Sequence, residues 1–522
     1  MTTSAYTATV REFPPRSRTL PRHITGALGF LQLLNNGGSA AIDVSEGGNH
    51  ESMSIAGGAV DARVYNGRFD IRTPNGPTGS VLRMGAGDAT IASLGPDTIY
   101  AGSGDETIVV SAAAQIYAGT GTLRLFGHGT SGATLYGNGG DYEINGDGGA
   151  ITYIGGALDS TVEAILSNNR FTGGAGHLTI NGGARETVAG GSGGLTLNET
   201  ATGGGDLVTT AVGSTNILAL YGSNTVQSWG YDTITAGPGS ETIAVYGDAT
   251  IAAAGNASVA EAGATLHFTN TLAAASVTVT GGVASLVSYA QSGATGGISV
   301  TTAQGASTDV AMGDGRVAVT AAGNDTIEAG ASPASITTIG GNAQITGAAG
   351  ALAVHNHDTK PGDHVTLAGG AGTVSYDQSA GSLTFLGGSG DTVIAGGTGS
   401  LDLTAGTGSL TVSGGAASLK IVAGSGYMSV ALPSTGGQIE FGSGIAAVHE
   451  AGWGSANIFA FVAGQSGGTD TITGFRAGVD ILSLQGVAVV AQQIVSGTAT
   501  LTLTDGTALT LTNVGSNAQL FA

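Results

Sequence analysis

The stretch GTGSLDLTAGTGSLTVSGG (397–415) decides the fold. Two strand-like phrases, SLDLTA and SLTVSG, begin at Ser400 and Ser409, and a third begins at Ser418. Within each, Leu and Val alternate with Ser, Thr and Asp, the period-two pattern that puts apolar side chains on one face of a strand. Phrases this short cannot bury an apolar face alone. Stacked on copies of themselves they can, which is the logic of a solenoid. The Gly-Thr-Gly punctuation fits corners where successive coils approach at strand spacing and leave no room for a Cβ. Two phrases per coil predict roughly 18 residues per turn.

The same texture extends outward in both directions, as in GTGTLRLFG (119–127) and GGAGHLTINGGARETVAGG (173–191). Glycine supplies 95 of 522 residues, far above the usual level of about 7%. Only 10 prolines and no three-residue period exclude collagen. A hydrophobic share of 41%, set in short alternating runs, argues against disorder. The fold class expected is all-β: a right-handed parallel β-solenoid or β-roll-like array of short Gly-rich strands. A small N-terminal unit precedes it and a C-terminal β-hairpin cap closes it. A series of β-sandwiches is the alternative.

Three regions are expected. Residues 1–83 form an N-terminal docking or capping unit, with a helix in RHITGALGFLQLLNNGG (22–38) and hairpins at the Asn-Gly pairs 66–67 and 75–76. Residues 84–464 carry the degenerate repeats. Residues 465–522 differ, with longer strands and an Asp-Gly hairpin joining TATLTLT to TALTLTNV.

The net charge is −21 and is unevenly placed. Residues 1–83 hold eight arginines against six acids, and Lys360 and Lys420 are the only lysines in the chain. An acidic body repels phosphate, so nucleic acid is not an expected partner. No long apolar run predicts a membrane span. The first thirty residues do not read as a secretory signal peptide, and with no cysteine there is no disulfide framework. The arginine-rich head suggests docking on acidic polysaccharide or lipopolysaccharide, or on the acidic body of another copy; ordinary solvated charge is the plainer reading.

Asp-Thr-Ile occurs at 97–99, 232–234, 325–327 and 470–472, and the last copy opens the ordered phrase TDTITGFRAGVDILSLQGV (469–487). With the hairpin that follows, this phrase resembles the C-terminal target region of RTX, or hemolysin-type calcium-binding, proteins exported by type I secretion. The resemblance covers about the last 55 residues. It implies an uncleaved C-terminal export signal read by the type I machinery, and an extracellular or bacterial cell-surface location. The repeat of that family, G-G-x-G-x-D-x-U-x, binds calcium at its turns. Partial matches here are GPDTIYAG (95–102), AGSGDETIVV (101–110), GYDTITAG (230–237), GPGSETIAV (237–245), AAGNDTIEAG (321–330) and LGGSGDTVIAG (386–396). The resemblance therefore implies calcium as cofactor, with Asp97, Asp105, Glu106, Asp232, Glu241, Asp325, Asp391 and Asp470 as metal ligands. The residues alone leave a second reading open, in which each acid accepts local backbone N–H bonds at a turn.

HNHDTKPGDH (355–364) gathers three histidines and two aspartates, and reads as a polar surface loop before it reads as a metal site. Trp229 and Trp453 read as core or cap filler before a sugar platform. No nucleophile elbow, zinc-protease helix or phosphate loop stands in the sequence. The function expected is a secreted, non-catalytic structural protein that assembles with other copies of itself into a surface layer, filament or biofilm matrix. A monomeric RTX-like adhesin and a β-helix polysaccharide-modifying enzyme are the alternatives.

Overall fold

The computed structural model describes strands from Tyr6 to Thr512 and side-chain surroundings mainly from Met53 onward; residues 1–5, 11–21, 516–519, 521–522 and short segments between strands lie outside the description. The protein is a right-handed parallel β-solenoid. Successive strands alternate between two sheets, so each coil contributes one strand to each. Within each unit the described strands pair in parallel with their counterparts in neighbouring coils, and antiparallel pairing enters only among the last three strands. Leu401 pairs with Leu419 and Leu410 with Met428, the 18-residue step that the opening stretch predicts. Elsewhere hydrogen bonds between equivalent positions span 16 to 24 residues, so the difference in length is taken up in the corners.

The chain divides into two compact units, Met1–Asn256 and Ala257–Ala522. Each has the same interior. In the second sheet of the first unit, Ile99, Ile116, Leu135, Tyr153, Phe171, Val188, Val208, Val226 and Ile243 stack in register, none more than 1% exposed. The second unit repeats the column with Ile336, Val354, Tyr376, Ile394, Val412, Val430, Val448 and Ile472. A side chain that cannot cover its own strand is thus covered above and below by its equivalents, which is why the alternation has to hold in every coil.

Corner glycines keep the coils in step. A Cβ on Gly406 would lie 2.0 Å from the Gly388 carbonyl oxygen, and one on Gly388 would lie 2.0 Å from that of Gly370. Only hydrogen fits there.

Two expectations for residues 1–83 are corrected. Residues 22–38 form no helix: Arg22–Thr25 and Leu28–Asn35 are strands, each in a different sheet, with Phe30 opposite Ser52. Gly26 and Gly29 weaken a helix there, whereas a strand gains a full ladder on both sides. The Asn-Gly pairs do not close hairpins either. Strands His50–Gly57 and Arg68–Arg72 are parallel neighbours, as are Val60–Val64 and Val81–Met84, so these glycines sit at corners between sheets. The first pair lies partly outside the described residues, at Asn66. Parallel pairing also runs across both expected boundaries, joining Asp70 to Thr90 and Ile445 to Thr469.

The terminal hairpin is present as expected. Thr498–Leu503 and Ala508–Thr512 are antiparallel around Asp505-Gly506, and Val489–Val495 adds a third antiparallel strand. Among the described residues no helix is long and apolar enough to cross a membrane.

Candidate functional site

The acid-Thr-Ile tripeptide has one structural meaning. In all six copies the acid (Asp97, Glu106, Asp232, Glu241, Asp325 or Asp470) points inward and is 1–3% exposed. The Thr points outward and the Ile is buried in the core column. The expected turn position is therefore corrected: these acids stand at inward positions of strands or just before them, and alternation carries their carboxyls into the interior. Asp391 stands one residue out of that frame, so its neighbour Thr392 is buried and Asp391 itself faces solvent.

Inside, each carboxyl meets hydrogen-bond donors. Asp97 accepts from the Ser80 N–H (2.7 Å) and from the hydroxyls of Thr73 (2.6 Å) and Ser93 (2.7 Å). Asp232 accepts from the Thr210 hydroxyl (2.7 Å) and the Asn216 amide (2.5 Å). The Asp325 Oδ2 accepts from the Thr302 hydroxyl and the Gly323 N–H. Asp470 accepts the Ala446 N–H (3.1 Å), and Glu106 accepts the Gly102 N–H (2.9 Å).

In the first unit this device becomes a column just before the strands of the second sheet. Asn169 accepts the Ile151 N–H, Asp206 that of Glu186, Asn224 that of Asp206, and Glu241 that of Asn224. Each side chain reaches back one coil to the backbone of its predecessor. Glu199 joins from the side, accepting the Tyr221 N–H (2.5 Å). Three of the remaining oxygens, Glu186 Oε2, Glu199 Oε1 and Asp206 Oδ2, are buried with no hydrogen-bond partner. The sequence reading found Glu241 in this column and missed Glu186, Glu199 and Asp206. The signal was available, because Glu186 precedes Thr187-Val188 as the other acids precede Thr-Ile.

Burial pushes these carboxyls up. Glu106 and Glu241 rise to about 7, Glu186 to about 8 and Asp470 to about 7, desolvation leading in each case while backbone N–H bonds oppose it. Glu199 rises to about 9, through burial first and then through the neighbouring Asp206 carboxyl. Asp325 also rises by burial. Exposed Asp391 moves down, because the Ser409 hydroxyl and N–H both donate to it.

This donor-rich setting does not fit a calcium cage. Calcium needs six to eight oxygens, most of them carboxylate or carbonyl. Among the described residues no three His, Cys, Asp or Glu side chains come close enough to hold a metal. The eight expected ligands each face N–H or O–H donors instead. Asp105, the second exposed one, accepts from the Thr122 hydroxyl while its own N–H donates to Asp88.

The other candidates are dispersed. His355 faces outward with its Nδ1 2.5 Å from Asp377, and His364 contacts the Ser382 hydroxyl. Only residues 357–363 of that segment lie between strands. Trp229 and Trp453 are not core: they are 38% and 71% exposed, and Trp229 stacks on Tyr246 of the next coil at 4.0 Å. Of the head arginines, Arg68 and Arg83 pair with Asp88 and Asp61, while Arg11, Arg16 and Arg18 lie outside the described residues.

The phrase 469–487 builds a buried knot near the last coils. Arg476 bonds Asp480 (2.8 Å) and lies 3.5 Å from Glu450, and Asn457 links Glu450 to Asp480. Phe475 packs at a tilt against Phe459, ring centroids 6.2 Å apart. Glu450, Arg476 and Asp480 were not foreseen as a group; Glu450 lies too far along the sequence for spacing to reveal it.

No protein-family model matches this chain, and no curated protein or solved structure matches it either.

Proposed function

We propose that this protein is a non-catalytic structural component outside the bacterial cell, assembling with copies of itself into a surface layer, filament or matrix. One observation carries the reading. In the second unit one outward register column of the second sheet runs Thr278, Ser299, Ala318, Ser335, Ala353, Ser375, Val393, Thr411, Ser429, Ala447 and then Thr471. That column crosses ten coil steps without a charge, on a chain with net charge −21. Soluble sheets ordinarily place charges on such faces to prevent association. The resemblance of residues 469–487 to type I target regions supports export, and the arginine-rich head supports anchorage on acidic polysaccharide or lipopolysaccharide.

Calcium belongs to the proposal only through the resemblance of residues 469–487, because Asp105 and Asp391 are engaged by hydrogen-bond donors. The experiment is electron microscopy of the purified full chain after chelation and again in millimolar calcium. Ordered arrays in either condition support assembly, and arrays only with calcium support the ion as well. Dispersed particles in both conditions would overturn assembly and favour an adhesin, for which the exposed Trp229–Tyr246 stack is the first region to test with glycans.

A further inference from the structure

We propose that two copies of this chain meet through the uncharged outward column of the second sheet in the second unit, running antiparallel so that Arg316 of one copy faces Asp391 of the other. This inference rests on the self-assembly reading and names the surface that performs it.

The face holds a shallow groove of about 540 Å³, lined mainly by apolar atoms. Arg316 stands at one end and Asp391 at the other, with Pro333, Ala351 and Thr373 between them. These five occupy the same place in successive coils, each just before its strand. Arg316 is exposed and has no ion-pair partner among the described residues. Asp391 is exposed, ionised and bound only by Ser409 donors. One unpaired charge of each sign therefore ends an otherwise neutral groove. Four coil steps at ~4.8 Å separate them by ~19 Å.

Such a surface is self-complementary. A two-fold axis through the middle coil, at Ala351, places each Arg316 opposite the other copy's Asp391 and makes two ion pairs from one surface. Parallel packing would oppose like charges. The residues nearest that axis, Ala351 and Ala353, are small, so the backbones can approach closely. About that axis the uncharged column overlaps itself over eight steps, ~38 Å, by a strand width of ~16 Å. That gives roughly 600 Å² per partner, at the lower end of specific interfaces. The first sheet of this unit turns Asp309, Asp402, Lys420 and Glu440 outward, whereas beside the uncharged column the second sheet carries the paired His355 and Asp377.

The chain contains no cysteine, which makes the geometry directly testable. Ala351→Cys places one thiol at the axis, and Lys420→Cys places one on the other sheet as a control. Mild oxidation of the full-length protein is expected to give covalent dimers of Ala351→Cys and few of Lys420→Cys. Adding Arg316→Glu to Ala351→Cys should cut the dimer yield at least tenfold at matched concentration, because like charges now meet. Adding Asp391→Arg as well should restore it. Equal crosslinking of the two cysteine variants, or no rescue by the double reversal, overturns the inference. Electron microscopy of the unmodified chain separates the two levels. Arrays that persist with no Ala351→Cys crosslink mean that assembly uses another face, whereas absent arrays remove the self-assembly reading as well.

Discussion

The two units treat the same backbone N–H in two ways. Just before or at the start of each second-sheet strand, one N–H must find an acceptor in the next coil. In the second unit the acceptor is a backbone carbonyl: Ala334 donates to Ala351, Leu352 to Thr373, Val374 to Asp391 and Thr392 to Ser409. The side chains in that column are then free to be apolar. In the first unit the acceptors are the side-chain oxygens of Asn169, Asp206, Asn224 and Glu241. Buried acids in this solenoid thus replace carbonyl oxygens that their corners do not present. The second unit resorts to the same device near its end, where Asp470 accepts the Ala446 N–H and Asp480 that of Asn457.

The largest effect should come from breaking what both units share. Gly406→Val forces a side chain to within 2.0 Å of the Gly388 carbonyl and cannot be relieved by a flexible neighbour. It should cost more than about 4 kcal/mol and leave the second unit open to protease. Gly362→Ala, with nothing within 4 Å, should cost less than about 0.5 kcal/mol. Limited proteolysis and thermal melts compare the two, and equal resistance would mean that the corners adjust.

A smaller effect separates the units by pH. Glu106, Glu186, Glu241 and Asp470 have folded pKa values raised above their unfolded ones. Between about pH 4.5 and 8 the folded chain therefore holds protons that the unfolded chain has released, and stability falls as pH rises. The stabilisation is complete below the unfolded pKa and is lost through the folded one. Asp391, Asp480 and Asp505, whose values are lowered, act in the opposite sense only in stronger acid. Melting should be highest near pH 5 and fall by roughly 10 °C toward pH 8.5. Glu186→Gln should flatten that slope, and a wild-type profile that rises with pH would show that the column is ionised.

Much of this was legible in the residues. The alternation in 397–415, the coil length and the terminal hairpin all follow from period-two pattern and turn chemistry. The orientation of the acids did not. Whether a carboxyl before Thr-Ile faces a turn or the core depends on a frame of one residue, and Asp391 and Asp470 differ by that shift alone. Residues 22–38 misled for a related reason: an apolar run satisfies helix and strand equally until a neighbouring ladder decides. The knot of Glu450, Arg476 and Asp480 joins residues that only the coiling brings together.

That one-residue frame supplies the smallest and sharpest test. Asp470→Ala removes the acceptor of the Ala446 N–H inside the fold, with the orphaned donor sealed from water. Such a loss costs about 1–3 kcal/mol, and more toward pH 5, where the raised pKa keeps the folded carboxyl protonated and its contribution intact. Asp391→Ala removes bonds from the Ser409 hydroxyl and N–H, which water replaces, so its effect should be much the smaller of the two. Denaturant titration of the two variants at one pH gives the comparison. If Asp391→Ala costs as much as Asp470→Ala, then parity along the strand does not govern what an acid contributes here, and the side-chain acceptors of the first unit would need another explanation.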